Sequence, residues 1–369
     1  MTKNAALTAE YAGEKTFAAL RKERLFAERL RPLVFVAAFV CVFYLALAAS
    51  IKGIEWTVPI DVLLGQASKA SEVIFYNVRL PRTATATATV VGAALALAGA
   101  VMQNVLRNPL ASASTLGVSQ GAAFGAALAI TFFHAGIGTD GNLGAALTVT
   151  SPAVVTVFAF VFGVASGAVI LALSLVTRIS SATMILSGIA LGAMFTGGTA
   201  IIQYFADDIK VASIVYWTFG DLGRTGWTQI GAMAAALAVA FVYFYRNAWN
   251  YNALANGTYT AKSLGVPVNV VLIVGMLVSC LLSSLAVAFV GTIGFVGLIA
   301  PHLARRFTGS NHRYLLISSV FCGAVLLMGA EVLSRFIVPP AVLPIGAITS
   351  FLGAPVFLYM IFKADGWVK

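Results

Sequence analysis

Hydrophobic residues occur in long runs along most of this chain, separated by short polar stretches. A helix needs about 20 apolar residues to cross the roughly 30 Å hydrocarbon core of a bilayer. By this criterion the pattern predicts an all-helical protein with ten transmembrane spans, at roughly 33–51, 83–104, 114–133, 151–176, 182–205, 228–246, 269–290, 293–307, 314–334 and 342–362. The eighth run is short and rich in glycine, so nine spans remain an alternative.

Glycines inside the predicted spans recur every four residues, which places them on one helix face and lets neighbouring backbones approach closely. They are Gly117, Gly121 and Gly125, Gly163 and Gly167, and Gly188 and Gly192. The stretch VGTIGFVGLIAP (290–301) has three glycines spaced by three residues and ends in proline, which predicts an irregular or broken helix. Irregular backbone at membrane depth is tolerated only inside a bundle or beside a water-filled cavity.

Composition and charge agree with a membrane protein and indicate its orientation. The chain is 60% hydrophobic and 10% charged, against about 25% charged in an ordinary soluble domain. Of its 23 Lys and Arg residues, 16 fall on the side of the N-terminus and 7 on the other side, whereas the acidic residues divide 5 to 8. The excess of Lys and Arg places both termini in the cytoplasm. The net charge of +10 is therefore a topology signal, and no nucleic-acid partner is implied.

These assignments divide the chain into a basic cytoplasmic segment 1–31, a transmembrane domain 32–363 and a short cytoplasmic tail 364–369. The charged start followed by a full-length span is not the pattern of a secretory signal. Residues 14–31 (EKTFAALRKERLFAERLR) are typical of a basic helix lying on the membrane surface. The alternative, which we favour, is a solvated tail that helps to set topology.

The chain carries little of the chemistry that a catalyst or a metal site needs. Its three cysteines each lie in an apolar span and its three histidines are scattered, so we predict no metal site, no disulfide and no catalytic residues. The sequence G-x-x-x-x-G-K-[ST] occurs nowhere, so another chain must bind the nucleotide if ATP drives this protein. A polytopic membrane enzyme is disfavoured because it would need His, Asp or Glu gathered at one membrane face.

Ionisable groups are almost absent from the span interiors, which counts against an ion-coupled secondary transporter. Glu331 lies near the outer end of its span, four residues before Arg335, where the two can neutralise each other. A path through such a protein would be lined by small and hydroxyl-bearing residues, which suits a bulky chelated solute better than a bare ion. Candidates are Ser180, Ser181, Thr183, Ser187, Thr196 and Thr199.

Five stretches, in order, resemble the FecCD-type permeases of ABC importers for iron–siderophore complexes, haem and cobalamin. They are VRLPRTATATATVVGAALALAGAVMQNVLRNPLASASTLGVSQGAAFG (78–125), ANGTYTAKSLGVPVN (255–269), GTIGFVGLIAPHLAR (291–305), HR (312–313) and LPIGAITSFLGAPVFLYMI (343–361). The resemblance covers roughly residues 33–363. It implies a permease of the cytoplasmic (inner) membrane, working as a homodimer or close heterodimer, with two ATPase subunits that bind ATP and Mg and a solute-binding protein outside.

The polar segment between the sixth and seventh spans is a candidate contact for the ATPase. It is too polar to insert into the membrane and too short to be stable alone. Ala261 and Leu264, three residues apart, would form one small apolar face, and Gly265 and Pro267 would end the helix. The resemblance implies that this segment docks in a groove of the ATPase; without it, an ordinary polar loop would be favoured. The segment's residues are Gly257, Ala261, Lys262, Ser263, Leu264 and Gly265.

The resemblance also implies an outer docking site and a cytoplasmic gate. Arg79, Arg82 and Arg335 match arginines that form salt bridges with the binding protein, and guanidinium groups suit such contacts with carboxylates. The alternatives are anchoring at the membrane boundary and, for Arg335, pairing with Glu331. Ser181 and Ala182 match the gate, although their residue types differ from the expected pattern. The expected cargo is a ferric siderophore or haem, with cobalamin second and an oxyanion such as molybdate more distant.

Overall fold

A computed structural model describes residues 30–50, 53–54, 58–66, 68–69, 85–133, 135, 137–138, 148–149, 152–177, 181–338 and 341–364. The helices, in chain order, are α1 Pro32–Ala48, α2 Val58–Leu63, α3 Thr85–Val105, α4 Val118–Phe132, α5 Pro152–Thr177, α6 Ser181–Phe205, α7 Asp208–Thr218, α8 Trp227–Arg246, α9 Ala248–Ala255, α10 Thr258–Ser263, α11 Val268–Val290, α12 Val296–Thr308, α13 His312–Phe336 and α14 Ile345–Ala364. Two antiparallel two-residue pairs, β1 Ala49–Ser50 with β2 Gly53–Ile54 and β3 Ile137–Gly138 with β4 Thr148–Val149, accompany them. The all-helical fold class is confirmed.

Each of the ten predicted spans corresponds to a helix, and α2, α7, α9 and α10 are short connecting helices. Within the described ranges, six helices are long and apolar enough to cross a membrane: α3, α5, α6, α8, α11 and α13. Three shorter apolar helices, α1, α4 and α14, correspond to three more of the predicted spans, which accounts for nine of the ten.

The eighth predicted span is a shortened helix. α12 has 13 residues, which at about 1.5 Å per residue is roughly 20 Å, less than the hydrocarbon core. It occupies the cytoplasmic half of the bundle, where Gly297 packs against Gly99 of α3. The predicted break before it is confirmed, because α11 ends at Val290 and both Gly291 and Phe295 have positive φ, 85° and 62°.

Helix α3 lies at the centre of the bundle and is buried along nearly its whole length, with α8, α11, α12 and α13 packed around it. Backbones touch at two points: a Cβ on Gly92 would collide with the Gly323 carbonyl of α13, and one on Gly99 with the Gly297 carbonyl of α12. The predicted glycine face of α4 is confirmed as well, since a Cβ on Gly121 would lie 2.7 Å from the Phe162 carbonyl oxygen of α5.

Polar contacts show which helix ends lie together. At one end Thr87 of α3 bonds Thr225, 2.7 Å between hydroxyl oxygens, and at the other Asn104 of α3 bonds the Tyr251 carbonyl at 3.1 Å. Every acidic residue in the described part of the chain lies toward the first end: Asp61, Asp207, Asp208, Asp221 and Glu331. Most of the described cations lie at the second end, among them Arg107, Arg246, Lys262, Arg305, Arg306 and Arg313, whereas Lys69, Lys210, Arg224 and Arg335 lie toward the first. This distribution agrees with the orientation predicted from charge, in which the second end is cytoplasmic.

Because Gly323 touches Gly92 backbone to backbone, we expect Gly323→Ala to destabilise the folded protein by about 1–3 kcal/mol, the usual effect of overpacking. Thermal unfolding of the detergent-purified chain, followed by thiol-reactive dye or light scattering, measures the effect. The control is Gly329→Ala on the same helix, where a Cβ meets nothing within 4 Å and only helix propensity changes. Equal unfolding temperatures for the two variants would contradict the close contact.

Candidate functional site

A cavity of about 810 Å³ runs beside α4, α6 and α14 and reaches the irregular turn before α12. None of the lining residues in the described part of the chain carries a charge. The polar part of the lining consists of hydroxyl and amide side chains, from Ser112, Ser114, Thr115, Ser119, Gln120, Thr196, Thr199, Gln203, Thr218, Thr292 and Ser350. The described cavity wall is therefore uncharged, with hydroxyl and amide groups set among apolar side chains.

The cavity extends along one face of α6. Ile185, Ile189, Thr196, Thr199 and Gln203 line it, and their spacings of three, four and seven residues put them on a single stripe. From the first to the last of these residues the stripe covers roughly 27 Å at about 1.5 Å per residue, nearly the depth of a bilayer core. The exposed side chains of Leu110 and Ile189 show that the cavity opens onto the surface of the chain.

The hydroxyl lining predicted on α6 is confirmed in part. Thr196 and Thr199 line the cavity, and each donates its hydroxyl hydrogen to the carbonyl four residues earlier, at 2.9 Å. With the hydrogens engaged in this way, the hydroxyl oxygens of Thr196 and Thr199 can only accept further hydrogen bonds. Thr183 and Ser187 lie on α6 but do not line the cavity, Ser180 lies outside the described residues, and for Ser181 only the backbone is described.

Several lining residues come from stretches that sequence reasoning did not single out as lining. Ser112 and Thr115 form a self-bonded turn, in which the Thr115 hydroxyl donates to the Ser112 carbonyl at 2.9 Å. Thr292 donates to the Thr218 carbonyl and so joins the turn before α12 to the end of α7. The signal available in the sequence was their position inside the quoted motifs 78–125 and 291–305, but the motifs do not say which side chains face a cavity.

The polar segment after α9 folds as predicted into a short helix, α10, between Gly257 and Gly265. Both glycines have positive φ, 117° and 77°, which an L-residue rarely adopts. The shared apolar face expected for Ala261 and Leu264 is wrong. Ala261 is 0% exposed and belongs to the protein's own core, whereas Leu264 is 57% exposed.

The outward surface of α10 is formed by other residues. Tyr259 is 87% exposed, and Lys262, Ser263 and Leu264 are exposed beside it. The burial of Ala261 anchors the helix, because a six-residue helix has too few internal hydrogen bonds to be stable alone. Tyr259 is the residue that sequence reasoning missed, and its aromatic character next to the matched positions was the available signal.

Arg335 is not available at the outer surface. Its side chain is buried, 7% exposed, and its Nε donates to Glu331 Oε1 at 2.7 Å, as the i, i+4 alternative expected. Arg79 and Arg82 lie outside the described residues, so their docking role stays a prediction. Ser181 and Ala182 are the first two residues of α6, and their side chains lie outside the described part.

The outer acidic residues have local structural roles. Asp207 caps α7 by accepting from the Lys210 backbone N–H at 3.0 Å, and the Lys210 side chain, bonding the same carboxylate, holds the pKa of Asp207 below its usual value. Asp221 accepts from the Gly223 N–H at 2.7 Å, while its own N–H donates to the Val290 carbonyl. In the described ranges no three His, Cys, Asp or Glu side chains are close enough to share a metal ion.

Comparison with known proteins identifies the family. The FecCD transport family matches residues 37–363. An ABC transporter permease protein of Methanocaldococcus jannaschii is 47% identical over 304 residues, 82% of this chain and 86% of the relative. The hemin transport system permease protein of Yersinia pestis is 36% identical, with 79% of this chain and 83% of the relative covered. The vitamin B12 import system permease protein of Klebsiella pneumoniae is 32% identical, with 85% and 88% covered.

The tertiary structure leads to the same family. A solved metal-chelate-type ABC transporter in an inward-facing conformation matches with a TM-score of 0.76 at 28% sequence identity, covering 90% of this chain and 98% of that chain. Sequence and fold thus agree over almost the whole chain. The protein belongs to the FecCD transport family and is a multi-pass membrane permease component of an ABC importer.

Proposed function

We propose that this chain moves an iron chelate, a ferric siderophore or haem, across the cytoplasmic membrane by alternating access, driven by a separate ATPase. The observation that carries the proposal is the neutral cavity of about 810 Å³ along α6. Its lining runs from the cytoplasmic turn at Ser112 to the outer turn at Thr292. A conduit needs such a lining, whereas an enzyme needs reactive groups.

The chemistry of the lining favours a metal that arrives already coordinated. A bare hard cation binds carboxylate and other oxygen ligands in a charged cage, and the described lining residues offer no carboxylate. Hydroxyl and amide groups instead form weak, exchangeable hydrogen bonds with the periphery of a large solute. The cavity volume lies in the range of roughly 300–1,000 Å³ typical of sites for small molecules. Cobalamin, which one relative in the family imports, is the alternative cargo.

The ATPase would dock on α10 and the residues around it. Tyr259 and Leu264 offer an exposed aromatic and aliphatic pair at the cytoplasmic end, and exposed aromatic residues often dominate binding energy at interfaces. Lys262 adds a cation beside the pair. The partner would hold ATP and Mg, because this chain has no phosphate-binding loop.

A second copy of the chain would close the open side of the cavity. Leu186, Met194 and Ile201 of α6 and Phe351 of α14 are large apolar side chains left exposed near the lining residues of the same helices. A two-fold interface along α6 and α14 would bury these side chains and place the path between two copies. A solute-binding protein would deliver the cargo from outside, with Arg79 and Arg82 as the proposed contacts.

Transport would need no bond-making by this chain. ATP binding and hydrolysis would shift the bundle between outward- and inward-open packings, which differ in which end of the cavity is open. The neutral lining binds the chelate weakly at either stage, so release does not require a charge to be neutralised.

Uptake into proteoliposomes tests the cargo and the driving force. The chain is reconstituted with its ATPase and binding protein, and haem, a ferric hydroxamate, cobalamin and molybdate are offered in turn. We expect ATP-dependent uptake of haem or the ferric hydroxamate. If only cobalamin or only molybdate is taken up, that solute is the cargo and the proposed iron chelate is not. Uptake driven by an ion gradient without ATP would reject the ATP-driven mechanism.

A bulky side chain in the cavity should block the path without disturbing assembly. We expect Thr196→Trp to reduce uptake to background while the ATPase still co-purifies, because the indole fills space beside α6. The matched control is Val157→Trp on α5, an exposed position that does not line the cavity. Wild-type uptake by Thr196→Trp would show that the solute takes another route.

The docking surface is tested by co-purification. We expect Tyr259→Ala combined with Leu264→Asp to weaken ATPase binding by about 2 kcal/mol or more, roughly thirtyfold in Kd, as for other interface hot spots. The control is Ser310→Asp, which adds the same charge at the neighbouring exposed turn before α13. Unchanged ATPase binding by the double variant, or an equal loss in the control, would place the docking surface elsewhere.

A further inference from the structure

The first turn of α13 is capped by a side chain from a different helix. The Asn252 Oδ1 of α9 accepts two hydrogen bonds from His312, one from the backbone N–H at 2.7 Å and one from Nδ1 at 2.9 Å. The Asn252 Nδ2 donates to Asn311 Oδ1 at 3.0 Å, and Asn311 in turn caps α13 by accepting from the Arg313 N–H. Three hydrogen bonds therefore join one residue of α9 to the start of α13.

Elementary donor and acceptor rules fix the identities of these atoms. A backbone N–H can only donate, so the Asn252 atom that faces the His312 nitrogen is the carbonyl oxygen, not the amide nitrogen. The imidazole must then carry its hydrogen on Nδ1. His312 is 2% exposed, so its ring cannot bond to bulk water in place of Asn252.

Helix α9 is also joined to the central helix and, through it, to the cavity wall. Asn104, at the last turn of α3, donates from Nδ2 to the Tyr251 carbonyl at 3.1 Å. Its neighbour Gln103 donates to the Leu298 carbonyl of α12 at 3.1 Å, and Leu298 lines the cavity. Asn104 and its neighbour Gln103 thus connect α9 with a residue that lines the cavity.

The same short helix leads directly into α10. The Gly257 N–H bonds the Leu254 carbonyl across the junction, and the buried side chains of Leu254 and Ala261 share one apolar cluster. α9 therefore lies between the exposed surface of α10 and the N-terminal turn of α13. If α10 moves, the hydrogen bonds of α9 can transmit the movement into the bundle. The chain itself also connects α10 to the bundle, through α8 on one side and α11 on the other.

We infer that Asn252, through His312, is a positioning residue for energy coupling: it carries displacements of α10 into α13 and keeps ATP hydrolysis tied to solute movement. This inference rests on the proposed function, in which the ATPase docks on α10. It assigns a role to contacts that neither touch the solute nor lie on the docking surface.

The test is the amount of solute taken up per ATP hydrolysed, measured in proteoliposomes that contain the whole complex. The solute is whichever of haem, ferric hydroxamate or cobalamin the wild-type complex imports. The principal variant is Asn252→Ala, and Asn252→Asp is the conservative one because its carboxylate keeps the oxygen that His312 bonds. Asn250→Ala is the matched control on the same helix, since among the described residues the Asn250 side chain bonds a neighbour on its own turn, Asn247 Oδ1, at 2.9 Å.

We expect Asn252→Ala to retain the ATPase on co-purification and to keep hydrolysing ATP, while uptake per ATP falls at least about fivefold, the lower end of ordinary coupling between sites. Asn252→Asp and Asn250→Ala should remain close to wild type. Should Asn252→Ala not assemble, Asn252→Gln serves instead, because its extra methylene displaces the oxygen from His312; the same fivefold fall is expected.

An uptake-to-hydrolysis ratio that stays at the wild-type value in Asn252→Ala, or in Asn252→Gln where that variant is used, overturns the inference. So does a parallel loss of both activities, which is what mere destabilisation would produce. A fall in the ratio for Asn250→Ala equal to that for Asn252→Ala would also overturn it. A wild-type complex that imports none of the three solutes, or does not retain an ATPase, rejects the proposed function itself.

Discussion

The contact of α3 with α13 and α12, where glycine backbones touch at Gly92–Gly323 and Gly99–Gly297, is the constraint on which the remaining structure depends. Between helices in a bilayer there is little hydrophobic driving force, because lipid tails are as apolar as leucine. Stability must come from close van der Waals packing, and glycine allows the closest approach. With α3 fixed at the centre, α8 and α11 pack against it, and its two ends are bonded to Thr225 on one side and Tyr251 on the other.

The bilayer also restricts where charged residues can lie. An unpaired charge at membrane depth costs several kcal/mol, and the described acidic residues all lie toward the outer end of the helices. Glu331 is the one among them held in a buried ion pair, with Arg335 on the same helix. The consequence is a cavity whose described lining takes its polarity from hydroxyl and amide groups.

At the cytoplasmic surface water is available to polar groups, so close helix packing is not the main constraint. The short helices there instead need support from tertiary contacts. α10 has only six residues, so its conformation depends on the buried Ala261 and on the glycines at its two ends. α9 before it is held by Asn104 and by the contacts of Asn252 with α13. These contacts leave Tyr259 and Leu264 exposed on a short segment that is hydrogen-bonded to the bundle.

The sequence by itself determined the ten helices, their orientation, the break before α12 and the family, because run length, charge distribution and glycine spacing are local properties. It also placed the end of a short helix at Gly265, because glycine readily adopts the positive φ of a helix C-cap and Pro267 cannot continue the helix. Only the tertiary structure decided which face of that helix is buried, because Ala261 and Leu264 differ in what packs against them and not in local pattern. The sequence also could not predict the lining of the cavity or the contact between Asn252 and His312, which are 60 residues apart. Both depend on helix rotation and long-range hydrogen bonds, which arise only when the bundle packs.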